Sequence, residues 1–324
     1  MGVAAVSMLA ATPVAIRALN NRGVIDSPNA RSSHPRPTVR GAGLVTGSAL
    51  TLGMAVGFDR LTLSLALVAA LATLLGGVED LHGTRVAVRL AVQTLIGVVF
   101  LIATWNAGSP LSWAATVVVL VFVVGYINAF NFMDGINGIS SAAGSVAGLA
   151  LIGFAQLRTL PNVTLVGGVL VVTSLCFVPY NFPRARAFLG DSGSYSSGAV
   201  IACAAVWTWR AGVQLDAVLA PLAIYIADSG SVVLRRAARR EALGSPHRQH
   251  VYQRLVAHGA SHVTSTAVVL VFSAATAGLG LAIVDTGGPS RWILDAMIVA
   301  TTVLYLGLPK RTAFFRWDQP LGAR

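Results

Sequence analysis

Apolar residues in this chain come in long unbroken runs, each closed by a short cluster of polar residues, glycine or proline. A helix rising 1.5 Å per residue needs about 20 mostly apolar residues to cross a bilayer. The segments 2–19, 42–58, 61–78, 90–105, 112–130, 138–157, 163–181, 195–212, 215–233, 263–284 and 292–308 meet that pattern. The runs are continuously apolar rather than alternating with period two, which excludes a membrane β-barrel. Lipid offers no water to a bare backbone, so helices remain. The pattern predicts an all-α, polytopic integral membrane protein with ten or eleven transmembrane helices. The exact count turns on two very tight connections, between 42–58 and 61–78 and between 195–212 and 215–233. No internal repeat, low-complexity tract or soluble domain interrupts the runs, so 1–324 reads as a single transmembrane domain whose longest non-apolar stretch is 234–262.

Composition agrees. The chain is 55% hydrophobic and 11% charged, less than half the roughly 25% charge of soluble domains, with a mean hydropathy of +0.72. So much apolar surface also excludes disorder. Cys176 and Cys203 lie within apolar runs and offer neither a disulfide framework nor a thiolate metal site. In a soluble protein a net charge of +11 would point to nucleic acid, but here its distribution reports orientation. With the N-terminus outside and alternate connections cytoplasmic, nineteen of the 23 Lys and Arg residues fall on the cytoplasmic side, leaving Arg60, Arg158, Arg210 and Arg291 opposite. No basic residue precedes the first run, whereas Arg17 and Arg22 follow it, as expected of a retained first helix rather than a cleaved signal. The C-terminus is then cytoplasmic.

The twelve carboxylates are not scattered. Glu79 and Asp80 end the third span, Asp134 ends the fifth and Asp191 follows the seventh, while Asp228 lies inside the ninth, about two turns from its cytoplasmic end. An ionised Asp at mid-bilayer costs at least ~2.5 kcal/mol, and like charges at one depth repel. Water and a cation are the simplest relief. Ligands made only of oxygen suit Mg²⁺, which keeps several waters and shares itself with substrate phosphates. Any one of these acids alone reads as a helix-end residue facing water; five converging on one side read as a site.

Four motifs surround them. The first loop, DSPNARSSHPRPTVRGAGL over 26–44, brings Arg31, His34 and Arg40 ahead of Gly41 and Gly43. GGVEDLHGTRVAVRL spans 76–90. NAFNFMDGINGIS over 128–140 sets Asn128, Asn131, Asp134 and Asn137 at intervals of three, one face of a helix if the segment is helical. Such a row beside lipid would be costly, so it predicts a polar cavity. FLGDSGS over 188–194 surrounds Asp191 with small residues that permit close backbone approach to a ligand. Beyond them, RRAARREALGSPHRQHVYQRL covers 235–255. Its Arg235, Arg236, Arg239 and Arg240 read as a topological anchor at lipid headgroups. His247, His250, Tyr252 and Arg254 suit phosphate, with a planar guanidinium fork and imidazoles that donate. His82, His258 and His262 read as solvated loop residues.

With these motifs in order over 26–255, the sequence resembles the polyprenyl-phosphate N-acetylaminosugar-1-phosphate transferases. That family's pattern has a similar first loop, a paired acid after the third span, Asn–x–x–Asn–x–x–Asp–Gly, Phe–Leu–Gly–Asp–x–Gly–Ser and a histidine-rich loop. The resemblance implies attack by a polyprenyl phosphate oxygen on the sugar-linked phosphorus of a UDP-N-acetylaminosugar, dependent on Mg²⁺ (or Mn²⁺). The products are UMP and the polyprenyl-diphospho-sugar that starts a surface or cell-wall polysaccharide. It implies a multi-pass protein of the cytoplasmic membrane with lipid around it, its active site on the cytoplasmic face, a homodimer as one assembly, and no nucleic acid. By position it makes Asp191 the metal ligand, with Glu79 and Asp80 at the paired-acid site sharing that duty. Asp80, Asp134 and His250 become the catalytic set, with Asp80 orienting or deprotonating the lipid phosphate. Arg31, His34, Arg40, Asn128, Asn131, His247 and Arg254 become substrate-binding residues. Two departures stand out: the paired acid is Glu79–Asp80 rather than Asp–Asp, and the histidine loop keeps only His250 and Arg254 of its motif. This form resembles enzymes that start O-antigen or other surface glycans, some from UDP-FucNAc or UDP-QuiNAc.

Other readings are weaker. A CDP-alcohol phosphotransferase lacks its Asp–Gly–x–x–Ala–Arg run here, since Asp134–Gly135 is followed by Ile136, Asn137 and Gly138. A transporter using the acids as ion ligands would place them near mid-bilayer, and a scaffold leaves the polar row at 128–137 without a purpose.

Overall fold

The computed structural model describes residues 1–28, 36–105, 111–242 and 248–312. Arg31, His34 and His247 lie outside the described residues. In chain order the elements are α1 (Gly2–Asn21), β1 (Ile25–Asp26), β2 (Thr38–Val39), α2 (Gly43–Ala55), α3 (Arg60–His82), α4 (Val86–Ala103) and α5 (Trp113–Met133). They continue with α6 (Ile139–Arg158), α7 (Pro161–Asn181), α8 (Gly190–Arg210), α9 (Leu215–Leu219), α10 (Ala223–Ala238), α11 (Val251–Ala257), α12 (His262–Ile283) and α13 (Gly288–Thr312).

All eleven apolar segments are helical, and among the described residues nine helices are long and apolar enough to cross a membrane. The two remaining have physical reasons. The 13 residues of α2 reach about 20 Å, short of a ~30 Å hydrocarbon core. The 21 residues of α8 are long enough, but its first turns are Gly, Asp and Ser. Those residues avoid lipid because every position from Ser192 to Val206 is buried. Helix α8 is the axis of the molecule, with α2, α3 and α5 packed around it. The ninth predicted span is a broken helix: α9 passes through a 3₁₀ turn at Ala220–Leu222 into α10, and Pro221, which has no N–H to donate, sits at the break.

At the opposite face of the bundle three further acids have ordinary structural roles. Asp59 caps α3, its Oδ1 accepting from the backbone N–H groups of Leu61 (2.9 Å) and Thr62 (3.2 Å). Asp216 pairs with Arg291 at 2.6 Å and Asp285 with Arg158 at 2.8 Å.

Candidate active site

The site forms where the first loop, the C-terminal ends of α3 and α5, and the N-terminal end of α8 meet. Backbone hydrogen bonds lace the loops together. β1 and β2 pair antiparallel through Ile25–Val39 and Asp26–Thr38. Phe188 N–H then donates to Val39 O at 2.8 Å, and Gly43 N–H to Leu189 O at 2.9 Å. A side chain at Gly43 would place its Cβ 2.2 Å from Leu189 O, so this approach requires glycine. Gly190 opens α8 at φ +69°, with the Asp80 carboxylate where its Cβ would stand.

Asp80 closes this junction. Its Oδ1 accepts from Arg40 Nε (3.0 Å) and Asp191 N–H (2.9 Å), and its Oδ2 from Ser192 N–H (3.0 Å) and Ser192 Oγ (2.9 Å). A carboxylate has about four acceptor positions; all are taken, and the side chain is 3% exposed. The structure thus gives Asp80 to the N-terminus of α8, with no oxygen left to meet a lipid phosphate. Glu79 turns the other way, accepting from Arg89 Nη1 at 2.7 Å and from Thr84 Oγ1.

Asp191, one residue into α8, is held from two sides. Asn131 Nδ2 donates to Oδ1 at 2.6 Å and also reaches Ser194 Oγ at 2.9 Å. Arg40 Nη2 donates to Oδ2 at 2.7 Å, so one guanidinium bridges Asp80 and Asp191. Burial works against charge on Arg40, but Asp191 and then Asp80 more than offset it and raise its pKa. Asp134 is the C-cap residue of α5 and accepts from Ser140 Oγ at 2.6 Å. Burial, partly opposed by the Ser140 hydroxyl and then reinforced by Asp191 and Asp80, pushes its carboxyl up to about 7.

Asn128, Asn131 and Asp134 share a face and line one cavity of about 900 Å³. Asn137 leaves the row: α5 ends at Met133, and Asn137 sits in the following turn, where its Nδ2 donates to Pro183 O at 2.9 Å. The cavity has two unlike parts. One is an apolar groove between α4 and α5, walled by Val86, Leu90, Val117, Leu120, Val121 and Val124. The other end is polar, with Arg89, Asn131, Asp134, His250 and Tyr252. Several groove residues are also exposed on the lipid-facing exterior, Val117 at 60% and Val121 at 68%. Arg254, on α11, is not among the cavity-lining residues, whereas its neighbour Gln253 is.

Arg89, which has no assigned role in the motif at 76–90, faces the cavity, four residues from Gln93, whose Oε1 accepts a 2.6 Å hydrogen bond from Asn128 Nδ2. The spacing Arg89–Gln93 puts both on one face of α4, a signal the sequence did carry. Arg236, expected as an exposed anchor, is 3% exposed and pairs with Glu241 at 3.3 Å.

Among the described residues, no group of three or more His, Cys, Asp or Glu side chains is arranged to hold a metal ion. Glu79, Asp80 and Asp191 therefore do not form the shared three-carboxylate nest expected of them. Mg²⁺ on a nucleotide needs only one or two carboxylates, the rest being phosphate oxygens and water. Asp191, with the hydroxyl of Ser194 beside it, fits that smaller demand.

Residues 62–209, from α3 to α8, match the model of glycosyl transferase family 4. A probable undecaprenyl-phosphate N-acetylglucosaminyl 1-phosphate transferase of Bacillus subtilis (strain 168) is 27% identical, over 82% of this chain and 79% of its own. A decaprenyl-phosphate N-acetylglucosaminephosphotransferase of Mycolicibacterium smegmatis (strain ATCC 700084 / mc(2)155) is 28% identical, over 89% and 83%. A phospho-N-acetylmuramoyl-pentapeptide-transferase of Synechococcus sp. (strain JA-3-3Ab) is 31% identical, over 65% and 67%.

Proposed function

The chain belongs to glycosyl transferase family 4, the polyprenyl-phosphate sugar-1-phosphate transferases, and from that premise we propose that it transfers an N-acetylaminosugar 1-phosphate from a UDP-sugar to polyprenyl phosphate, releasing UMP. The observation that carries this reading is the two-part cavity. An apolar groove opening toward lipid leads to an end lined by Arg89, Asn131, Asp134 and His250. A polyprenyl phosphate has the same division, a long apolar chain and one anionic head. The nineteen-to-four distribution of basic residues supports placing that polar end on the cytoplasmic face, with the N-terminus outside.

Phosphoryl transfer asks for charge neutralisation and in-line placement rather than covalent chemistry from the protein. When bound, Mg²⁺ (or Mn²⁺) neutralises the donor diphosphate, and Asp191 is the residue to hold it. Asn131 and Arg40 fix the two oxygens of Asp191 so that the carboxylate is oriented before substrate arrives. Arg89, already tied to Glu79, presents a guanidinium to the acceptor phosphate where the groove ends. Glu79 steers that phosphate through Arg89, whose guanidinium it holds at 2.7 Å, whereas Asp80 is saturated at the start of α8. His250 contacts the donor diphosphate from the opposite wall. The displacement is direct; a trapped phosphoenzyme would overturn it.

The test uses the full chain in nanodiscs with polyprenyl phosphate and a panel of UDP-sugars. UMP should appear in proportion to lipid-linked sugar phosphate, with one or a few UDP-N-acetylaminosugars, and should stop on chelation and resume with Mg²⁺. Ion flux without UMP from any donor would favour a transporter and end this reading.

A further inference from the structure

A buried carboxylate behind the active site has no part in the mechanism above. Asp228, on α10, is 0% exposed. Such a carboxylate persists only when its oxygens are filled, and three groups fill these. Val251 N–H donates to Oδ2 at 3.0 Å and Oδ1 at 3.2 Å. Tyr305, on α13, donates its hydroxyl to Oδ2 at 2.8 Å. His250 Nδ1 lies 3.2 Å from Oδ1. The histidine ring is also gripped on its faces: it stacks on Tyr252 with centroids 5.8 Å apart, and Phe132 stands 6.3 Å away. The Tyr252 hydroxyl is itself tied to Phe132 O at 2.9 Å.

We propose that Asp228 is a positioning residue for His250, fixing its proton on Nδ1 and its ring plane so that Nε2 is the nitrogen that serves the donor diphosphate. A carboxylate acting on one imidazole nitrogen sets the tautomer and raises the basicity of the other. The supporting geometry comes from helices far apart in sequence: α10 provides the acid, α11 begins at the histidine, and α13 provides Tyr305 to hold the acid's second oxygen. His250 is 2% exposed and lines the cavity with Asn131 and Asp134. Tyr252 and Phe132 hold the faces of the ring, and Asp228 is the carboxylate at its Nδ1 edge. The proposal rests on the functional reading above for the role of His250, though not for the Asp228–His250 contact itself.

Two measurements on the full chain in nanodiscs test it together. The first is a double-mutant cycle read by UMP release. Asp228→Asn keeps an acceptor for Nδ1–H but drops the charge; Asp228→Leu removes both. Expected losses in kcat are about tenfold and about a hundredfold respectively, by analogy with metal-bound histidines that lose their orienting partner. KM for the UDP-sugar should hold within about threefold, and neither substitution should cost anything further in a His250→Ala background, where nothing remains to position. Losses that multiply in that background would mean that Asp228 supports the fold instead, and would overturn the proposal. Should Asp228→Leu fail to fold, Asp228→Asn alone carries the cycle. The second measurement is ¹⁵N NMR of histidine-labelled protein. One histidine should show its proton held on Nδ1, and Asp228→Asn should shift that signal; a signal unmoved by the substitution also overturns the proposal. A fully active His250→Ala would end the functional reading of His250, while the NMR signal would still decide whether Asp228 holds the ring.

Discussion

Asp134 is the residue whose surroundings most alter its chemistry. Its carboxyl is pushed up to about 7 by burial, and further by the charges of Asp191 and Asp80, against the lowering influences of Ser140 Oγ and, more weakly, the Arg40 guanidinium. The unfolded chain would protonate the same group near 3.9. A carboxyl whose folded pKa is the higher one binds its proton more tightly in the folded state. The stability it contributes is complete below the unfolded pKa and lost as pH rises through about 7. In chelator, the unfolding midpoint of the wild-type protein should therefore fall between pH of about 5 and about 8, and Asp134→Asn should flatten that slope. A scanning-fluorimetry series across that range checks it, and equal slopes for the two proteins would refute the assignment. The sequence placed Asp134 at a helix end among other acids, but nothing in it foretold the hydrogen bond from Ser140, six residues on, or the charges of two carboxylates from other helices.

Helix α8 shows what the sequence could and could not supply at the level of an element. Its apolar second half was readable, as was the small-residue cluster around Asp191. Its starting point at Gly190 was not, since the polar turns that precede the apolar run are tolerated only because α2, α3 and α5 cover them. The same gap hid the role of Asp80. Its partners at Asp191 and Ser192 lie 111 and 112 residues along the chain, beyond any periodicity. The row from Asn128 to Asn137 failed at its last member because an interval of three lines a helix face only while the helix lasts, and α5 stops at Met133. The cap itself can be measured. In Asp80→Asn an amide N–H₂ must face either Arg40 Nε together with Asp191 N–H, or the N–H and hydroxyl of Ser192, leaving buried donors opposed at about 1–3 kcal/mol each. The substitution should lower the unfolding temperature and the activity together. Glu79→Gln should lower activity with the unfolding temperature nearly unchanged. An Asp80→Asn protein with unaltered melting and abolished turnover would return Asp80 to the chemistry.

For the whole molecule, lipid is the solvent that makes the surface intelligible. Trp292 and Val299 on α13 and Val6 and Leu9 on α1 are each at least 60% exposed. In water such a surface would aggregate; in a bilayer it costs nothing. The α4–α5 groove belongs to that surface and departs from it only in being concave, which makes its occupant a testable matter. Gly125 lines the groove, and a Cβ built there would meet no atom within 4 Å. Gly125→Phe should therefore fill the groove without disturbing the bundle, and replacing a mid-helix glycine should leave stability equal or higher by about 0.5–1 kcal/mol. If the groove carries the polyprenyl chain, KM for a long-chain acceptor should rise about tenfold, as expected when roughly two methylenes' worth of burial is denied at ~0.8 kcal/mol each. KM for the UDP-sugar should stay as it was, because the donor approaches from the polar end, and a short-chain water-soluble acceptor should lose much less. Unchanged kinetics with the long-chain acceptor, in a protein that melts like the wild type, would show that the chain lies elsewhere on the lipid-facing exterior and that the groove is only a seam between two helices.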